Sequence, residues 1–181
     1  FPESEILDFP KTERETRMIE EAVEIARGAD AVVMVLGGNE LTVREERSRT
    51  SLDLPGRQEE LLQAVYATGK PVVLVLLDGR ASSVNYADRY IPAILHAWFP
   101  GEFCGQAVAE ALFGDYNPGG RLAVTFPKSV GQIPFAFPFK PGSDAKASSS
   151  VSGALYPFGH GLSYTSFEYG DLVIDPQKQG L

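Results

Sequence analysis

Two continuous aliphatic runs constrain the fold of this chain more than any other feature. Residues 31–36 read AVVMVL and residues 72–77 read VVLVLL, with no polar residue in either run. A strand with one wet face alternates apolar and polar residues, whereas an uninterrupted run is typical of a strand covered on both faces of a parallel sheet. Each run ends in glycine beside polar or charged residues, GGNE at 37–40 and DGR at 78–80. The runs are therefore predicted to be parallel strands inside an α/β domain.

The segments around these runs carry apolar residues at helical spacing. Helices are predicted over 12–27, from about 55 to 67, over the short stretch 83–89 and over 103–113, with a third strand over 91–99. Alternation of helices with buried strands indicates parallel βαβ units with right-handed crossovers. The predicted fold class is α/β, a doubly wound, mostly parallel sheet sandwiched by helices.

The chain changes texture beyond Gly114. A turn at 117–120 and a short strand at Leu122 to Phe126 are predicted, followed by a Ser, Ala and Gly stretch at 142–153 that we expect to be a mobile loop or a connection. Residues 171–175 are expected to form a last edge strand or to begin a linker. We predict an entering connection at 1–11, one domain at 12–169, and an exit linker or the start of a further domain at 170–181.

Composition excludes several classes of partner. The 181 residues, 44% of them hydrophobic, suit one globular domain with a packed core. The net charge of -8 opposes nucleic acid, because phosphate backbones are bound through clustered Lys and Arg. No apolar run approaches the roughly 18 residues that a bilayer-spanning helix needs. Neither nucleic acid nor a membrane is expected as a partner.

A dense charged loop, Arg44-Glu45-Glu46-Arg47-Ser48-Arg49, follows the first predicted strand. Carboxylates at the end of a strand in an open α/β sheet can project into a cleft and act as general acid or base. The alternative is a solvated loop in which three arginines neutralise two glutamates. Composition leaves both interpretations open and favours the solvated loop.

Other chemistries have little support. The phosphate-binding glycine motifs are missing, and two separate histidines with the single Cys104 do not supply a metal-ligand set. His96, within the third predicted strand, and His160, between two glycines, are interpreted as structural. Ser163 lies outside any G-x-S-x-G elbow, so acyl transfer is not supported. No metal and no cofactor are expected.

Seven blocks of the chain match, in order, a pattern found in one enzyme family. They are GGNE at 37–40, REERSRTSLDLPGRQ at 44–58, GKPVVLV at 69–75, AWFPG at 97–101, LFGDYNPGGRL at 112–122, PKSVGQIP at 127–134 and YPFGHGLSY at 156–164. Together they cover about residues 29–164. In these blocks the chain resembles the second, α/β-sandwich domain of glycoside hydrolase family 3, and in particular the bacterial β-glucosidase and β-xylosidase-like members.

The resemblance implies a retaining, exo-acting glycosidase whose active site is shared between two domains. An aspartate nucleophile lies on a preceding (β/α)8 barrel, and the general acid/base glutamate lies on a loop of the present domain. The implied partners are that barrel, a β-linked glucoside or related oligosaccharide, and a C-terminal fibronectin-like domain. A periplasmic or extracellular location is also implied. The 181 residues by themselves are expected to be inactive.

The resemblance further implies which residue is the acid/base. In the family this glutamate stands a few residues before a Ser/Asp-Arg pair, here Ser48-Arg49, and before the run LDLPG, here 52–56. That position is Glu45. Glu46 is the fallback, and Glu40 at the strand end is a further alternative.

Two more residues of this region, Asn39 and Arg49, are expected to contact the substrate. Glu45 is expected to be exposed in this domain alone and to become a competent acid only when the barrel buries the loop. Two other interpretations remain. The domain is a noncatalytic carbohydrate-binding or structural module, since fold alone does not give function, or the family member places its acid on a barrel loop as an Asp-His pair.

Overall fold

The computed structural model of the protein describes residues 11–46, 48–135, 137–138 and 151–172. Helices and strands alternate along these residues in the predicted order. Their bounds are α1 Glu13–Arg27, β1 Val32–Gly37, α2 Gln58–Tyr66, β2 Val72–Leu77, α3 Asn85–Tyr90, β3 Ala93–His96 and α4 Cys104–Phe113, with a 3-10 turn at Val130–Gln132. No helix of the described residues is long and apolar enough to cross a bilayer.

The three strands form one parallel sheet in the order β1-β2-β3. Val32 lies opposite Val72 at the start of the first pair, and Val73 lies opposite Ala93 at the start of the second. Helices α2 and α3 make the two crossovers between these parallel strands. The predicted α/β fold class is confirmed.

The main core lies between one face of this sheet and three helices. Met34, Leu74 and Leu76 point into it from the strands and are almost fully buried. A buried Leu contributes about 1.5–3 kcal/mol relative to an exposed one, so these positions dominate the stability of the layer. The helices contribute Ala26 from α1, Leu62 and Val65 from α2, and Ala87 from α3.

The opposite face of the sheet is covered unevenly. Val75, on the central strand β2, is buried, whereas Val33 and Val35 on β1 are 51% and 56% exposed. Among the described residues β1 pairs only with β2, so it is an edge strand there. Coverage of the first aliphatic run on both faces is thus not seen in the part of the chain that the structure describes.

Helix α1 begins with a capping box that the Thr-x-x-Glu spacing makes possible. Thr12 Oγ1 accepts a hydrogen bond from the Glu15 backbone N at 3.2 Å, and Glu15 Oε2 accepts one from the Thr12 backbone N at 2.9 Å. These bonds satisfy two backbone N–H groups that would otherwise lack partners at a helix start. The helix ends at Arg27, before the predicted stop at Gly28.

The prediction of a short strand from Leu122 to Phe126 is wrong. Phe126 makes one isolated antiparallel bridge with Tyr156, and Leu122 exchanges two backbone hydrogen bonds with Gly159 and His160. Proline lacks an N–H donor, so Pro157 interrupts any ladder between these two points of contact. The segment packs through Phe126, which is only 2% exposed.

Several expectations fall outside the described residues. Most of the loop at 142–153 and most of the edge strand or linker at 171–175 belong to this group. The predicted domain limits at residues 12 and 169 stay predictions.

Candidate functional site

Three strand ends define the candidate site. Because β1, β2 and β3 are parallel, the segments that follow Gly37, Leu77 and His96 leave the same edge of the sheet. Ligands of open α/β sheets bind at this carboxyl edge. The charged loop that follows β1 therefore lies beside the Asp78-Gly79 turn that follows β2.

The loop begins with a compact turn built by Asn39 and Thr42. The Asn39 side-chain Oδ1 accepts a hydrogen bond from the Leu41 backbone N at 2.9 Å, and Thr42 Oγ1 accepts one from the Asn39 backbone N at 2.9 Å. The Asn39 carbonyl accepts from the backbone N of Val43 at 2.8 Å. Asn39 was predicted to contact substrate; in this structure its side-chain oxygen shapes the loop.

Val43 follows this turn and fills a notch between two glycines. A methyl group on Gly38 would lie 1.9 Å from Cγ2 of Val43, and one on Gly79 would lie 2.6 Å from its Cγ1. Phe99, from the segment after β3, would be 2.4 Å from the same methyl group on Gly79. Only residues without a β-carbon allow this approach, and Val43 is 8% exposed as a result. The reason for the two glycines is not visible in the sequence.

The two glutamates of the loop are both exposed. Among the described residues, no hydrogen bond or ion pair reaches Glu45. Glu46 has a φ of 63°, a left-handed conformation that is uncommon for a residue with a side chain. The predicted exposure of Glu45 agrees with the structure. Its catalytic role, and the fallback role of Glu46, stay predictions.

The arginines of the loop do not neutralise these glutamates within the described residues. Arg44 pairs with Glu40, Nη1 to Oε1 at 3.4 Å, and both side chains are largely exposed. Arg49 turns the other way, and its Nη2 donates a hydrogen bond to the carbonyl of Asp53. Arg47 lies outside the described residues. Neither Arg44 nor Arg49 therefore pairs with Glu45 or Glu46, as the solvated-loop interpretation would require of them.

Arg49, the second residue predicted to contact substrate, is partly buried. Its Nη1 is inaccessible to solvent and has no hydrogen-bond partner among the described residues. Burial lowers the pKa of Arg49, and the carboxylate of Asp78 opposes that shift. The guanidinium thus faces the sheet edge at one end of the charged loop.

Asp78 is the buried centre of this edge. The residue is fully buried, and its Oδ2 accepts a hydrogen bond from Ser82 Oγ at 2.5 Å. Its Oδ1 accepts from the backbone N of Arg80 at 3.2 Å and would lie 2.9 Å from a methyl group on Gly38. A buried carboxylate needs such donors to offset its desolvation. Asp78 therefore fixes the turn after β2 against the start of the charged loop.

His96, the last residue of β3, packs among aromatic rings. Its ring lies 4.3 Å from that of Trp98 and 5.2 Å from that of Phe126, centroid to centroid. This half-buried position among aromatic rings agrees with the structural interpretation. Both ring nitrogens are inaccessible to solvent, and the backbone of Arg80 is a polar neighbour of the ring. Burial lowers the pKa of His96, and the Asp78 carboxylate opposes the shift.

The remaining sequence candidates have structural surroundings. His160 stacks on Tyr156 with ring centroids 5.1 Å apart. Ser163 Oγ donates to the Pro118 carbonyl at 2.6 Å, so it serves the C-terminal packing. Cys104 is half-buried at the start of α4. None of the three makes a hydrogen bond or ring contact with the charged loop among the described residues.

Sequence reasoning missed Val43, Gly79 and Asp78 as parts of the site. The Asp-Gly pair after the second aliphatic run was a usable signal, because it repeats the strand-glycine pattern of the first. The sequence did not predict a role for Val43, because a single apolar residue next to a charged loop matches no motif.

Comparison with known proteins agrees with the resemblance. Residues 5–164 match the glycosyl hydrolase family 3 C-terminal domain. A beta-xylosidase of Formosa agariphila is 45% identical over 159 residues, which are 86% of this chain and 22% of that protein. The periplasmic beta-glucosidase of Salmonella typhimurium is 45% identical over 168 residues, which are 87% of this chain and 22% of that protein.

A solved structure is similar as well. The β-glucosidase from Erythrobacter marinus superposes with a TM-score of 0.83 at 48% identity, and the match covers 87% of this chain and 22% of that one. The chain thus spans about a fifth of the length of each of these relatives.

Proposed function

Because the chain belongs to glycosyl hydrolase family 3, as its C-terminal domain, we propose that it supplies the general acid/base of a retaining exo-acting β-glycosidase. Glu45 is that residue. The observation that carries the proposal is its place: an exposed carboxylate on the loop after β1, at the carboxyl edge of the sheet, within blocks that match the family.

The other half of the active site belongs to a (β/α)8 barrel of the same protein, which carries the aspartate nucleophile. A retaining mechanism holds its two carboxyl groups about 5–5.5 Å apart. The nucleophile attacks the anomeric carbon while the second carboxyl protonates the leaving oxygen, and the resulting carboxylate then activates water. An exposed Glu45 is accessible to such a partner, and docking of the barrel supplies the burial that keeps an acid protonated.

The substrate class is a β-linked glucoside or xyloside, as the names of the relatives suggest. A periplasmic or extracellular location is part of the proposal, since one relative is named a periplasmic enzyme. The alternative is a noncatalytic carbohydrate-binding or structural module. The acid/base proposal predicts that removal of the Glu45 carboxyl slows turnover, whereas the noncatalytic alternative predicts no change.

The test is kinetic and uses the full-length protein with Glu45→Ala. Loss of a general acid lowers the rate by about 10²- to 10⁴-fold. The loss is expected for a β-glycoside with a poor leaving group and is smaller for a dinitrophenyl glycoside, which needs little protonation. Azide should partly restore turnover of the activated substrate, because it fits the vacated space and replaces the water that Glu45 activates.

Glu46→Ala is the matched control, since it removes a neighbouring exposed carboxyl. Near wild-type kinetics are expected for it. If the leaving-group dependence follows Glu46 instead, the assignment moves by one residue. If neither variant changes the kinetics, the noncatalytic alternative is supported.

A further inference from the structure

We propose that Val43 is a positioning residue for Glu45, and that the notch between Gly38 and Gly79 is the seat that sets where the acid/base carboxyl lies. This inference rests on the proposed function. It adds an apolar residue, packed between the segments that follow β1 and β2, to a site whose other named residues are mostly charged.

The first step of the argument is the contrast in burial along the loop. Val43 is 8% exposed and Thr42 is 6% exposed, whereas Arg44, Glu45 and Glu46 are exposed. Anchoring therefore stops two residues before Glu45. Consecutive Cα atoms are about 3.8 Å apart, so the Glu45 Cα lies within about 7.6 Å of the buried Val43.

The second step is that the seat is shaped on both sides. Gly38, which bounds the notch on one side, directly follows β1. Gly79, which bounds it on the other side, follows β2 by two residues. The Asn39 to Thr42 turn delivers Val43 through the 2.8 Å hydrogen bond from its backbone N to the Asn39 carbonyl. Since both walls are backbone of neighbouring strand ends, the position of Val43 is tied to the rigid sheet.

The third step is the support behind the seat. Asp78 Oδ1 lies against Gly38, and the hydrogen bonds from Ser82 and from the Arg80 backbone hold that carboxylate. Phe99 closes the Gly79 side. A catalytic group must be held within about 0.5 Å of its productive position by packing and hydrogen bonds behind it, and these contacts supply that support at the start of the loop.

The test is a double-mutant cycle in the full-length protein, with Val43→Ala, Glu45→Ala and the double variant. Val43→Ala empties the notch and should lower kcat/KM for a poor leaving group by about tenfold to a hundredfold, as a misplacement of roughly 1 Å does. The loss should be much smaller for the dinitrophenyl glycoside. In the Glu45→Ala background, Val43→Ala should have no further effect, because the group that it positions is gone.

Val65→Ala is the matched control, since Val65 is a buried valine of α2 that contributes to the main core. It should leave the ratio between the two substrates unchanged. Gly79→Ala provides a second perturbation from the opposite wall and should reproduce the leaving-group-dependent loss. It also serves if Val43→Ala does not fold, with circular dichroism as the check.

The outcomes separate the two proposals. If Glu45→Ala has no leaving-group-dependent effect, the proposed function fails. If Glu45→Ala shows that effect but Val43→Ala and Gly79→Ala lower both substrates equally, or if the Val43→Ala loss persists without Glu45, then the positioning role is overturned while the proposed function stands.

Discussion

Gln58 binds both backbone groups of Gly37. Its Nε2 donates to the Gly37 carbonyl at 2.8 Å, and its Oε1 accepts from the Gly37 backbone N at 2.7 Å. The side chain of Gln58, the first residue of α2, thus satisfies the backbone groups of Gly37, the last residue of β1. A neighbouring strand would otherwise bind these groups. Gly37 itself needs its missing side chain, since a methyl group there would lie 2.0 Å from the Leu77 carbonyl oxygen.

Replacement of Gln58 by alanine should loosen the end of β1. Both Gly37 groups would lose their partners, at a cost of about 1–3 kcal/mol for an unsatisfied backbone group. The measurement is hydrogen exchange of peptides that cover residues 32–38 in the full-length protein, where faster exchange is expected. Gln63→Ala, which removes another glutamine of the same helix, should leave this exchange unchanged. Equal exchange in both variants would contradict the prediction.

Glu60 should contribute a pH-dependent part of the stability. Arg57 Nη2 contacts Glu60 Oε1 at 2.6 Å, and these bonds, with that from Lys11, lower the pKa of Glu60 to about 2. A carboxyl whose folded pKa lies below its unfolded value stabilises the fold above the unfolded pKa. That contribution is lost as the pH falls from about 4.5 toward 2.

The check compares the unfolding free energy of wild type and Glu60→Gln between pH 2 and pH 7. The difference should be constant above about pH 5, should decrease as the pH falls, and should be mostly lost near pH 2. It is expected to be small, because Glu60 is 41% exposed and solvent screens such pairs. Glu59→Gln is the control. A pH-independent difference would rule out the ion pair as its source.

His96 should make the fold sensitive to mild acid. Burial lowers its pKa below the usual 6.5, so the unfolded chain binds the proton more readily than the folded one. Stability from the neutral ring is therefore present above about pH 6.5 and decreases as the pH falls below it.

His96→Leu removes this titrating ring, whose two nitrogens are inaccessible to solvent. We expect the free energy of unfolding at pH 8 to be close to that of wild type, because the apolar side chain packs against the same aromatic rings, Trp98 and Phe126, that surround the imidazole. Between pH 7 and pH 5 the variant should lose less stability than wild type. Parallel pH profiles for the two proteins would be the contrary result.

An element was predicted well where the residues that delimit it are next to it in the sequence. The second strand was predicted at its observed bounds, Val72–Leu77, because Pro71 and the Asp78-Gly79 pair delimit an unbroken aliphatic run. The third strand was predicted over 91–99 but covers Ala93–His96 only. Trp98 adopts a φ of 55°, which ends the strand, and nothing in the sequence announces a left-handed tryptophan.

Helix α2 shows a similar limit. The predicted start near Pro55 is three residues early, because Gly56 adopts a φ of 60° and the helix begins at Gln58. A Pro-Gly pair reads as a helix entrance or as a turn, and only the packing of Gln58 against Gly37 selects the later start.

The chain by itself determined the α/β class, the order of its elements and the loop that bears Glu45, since periodicity, strand ends and matching blocks are local in the sequence. Tertiary structure decided how that loop is held. Val43, Gly38 and Gly79 meet only when two parallel strands end side by side, and Asp78 is buried only when its turn packs behind them. Contacts between residues about 40 positions apart leave no periodic trace in the sequence, which is why the sequence predicts a role for Glu45 but does not predict the packing of Val43 between Gly38 and Gly79.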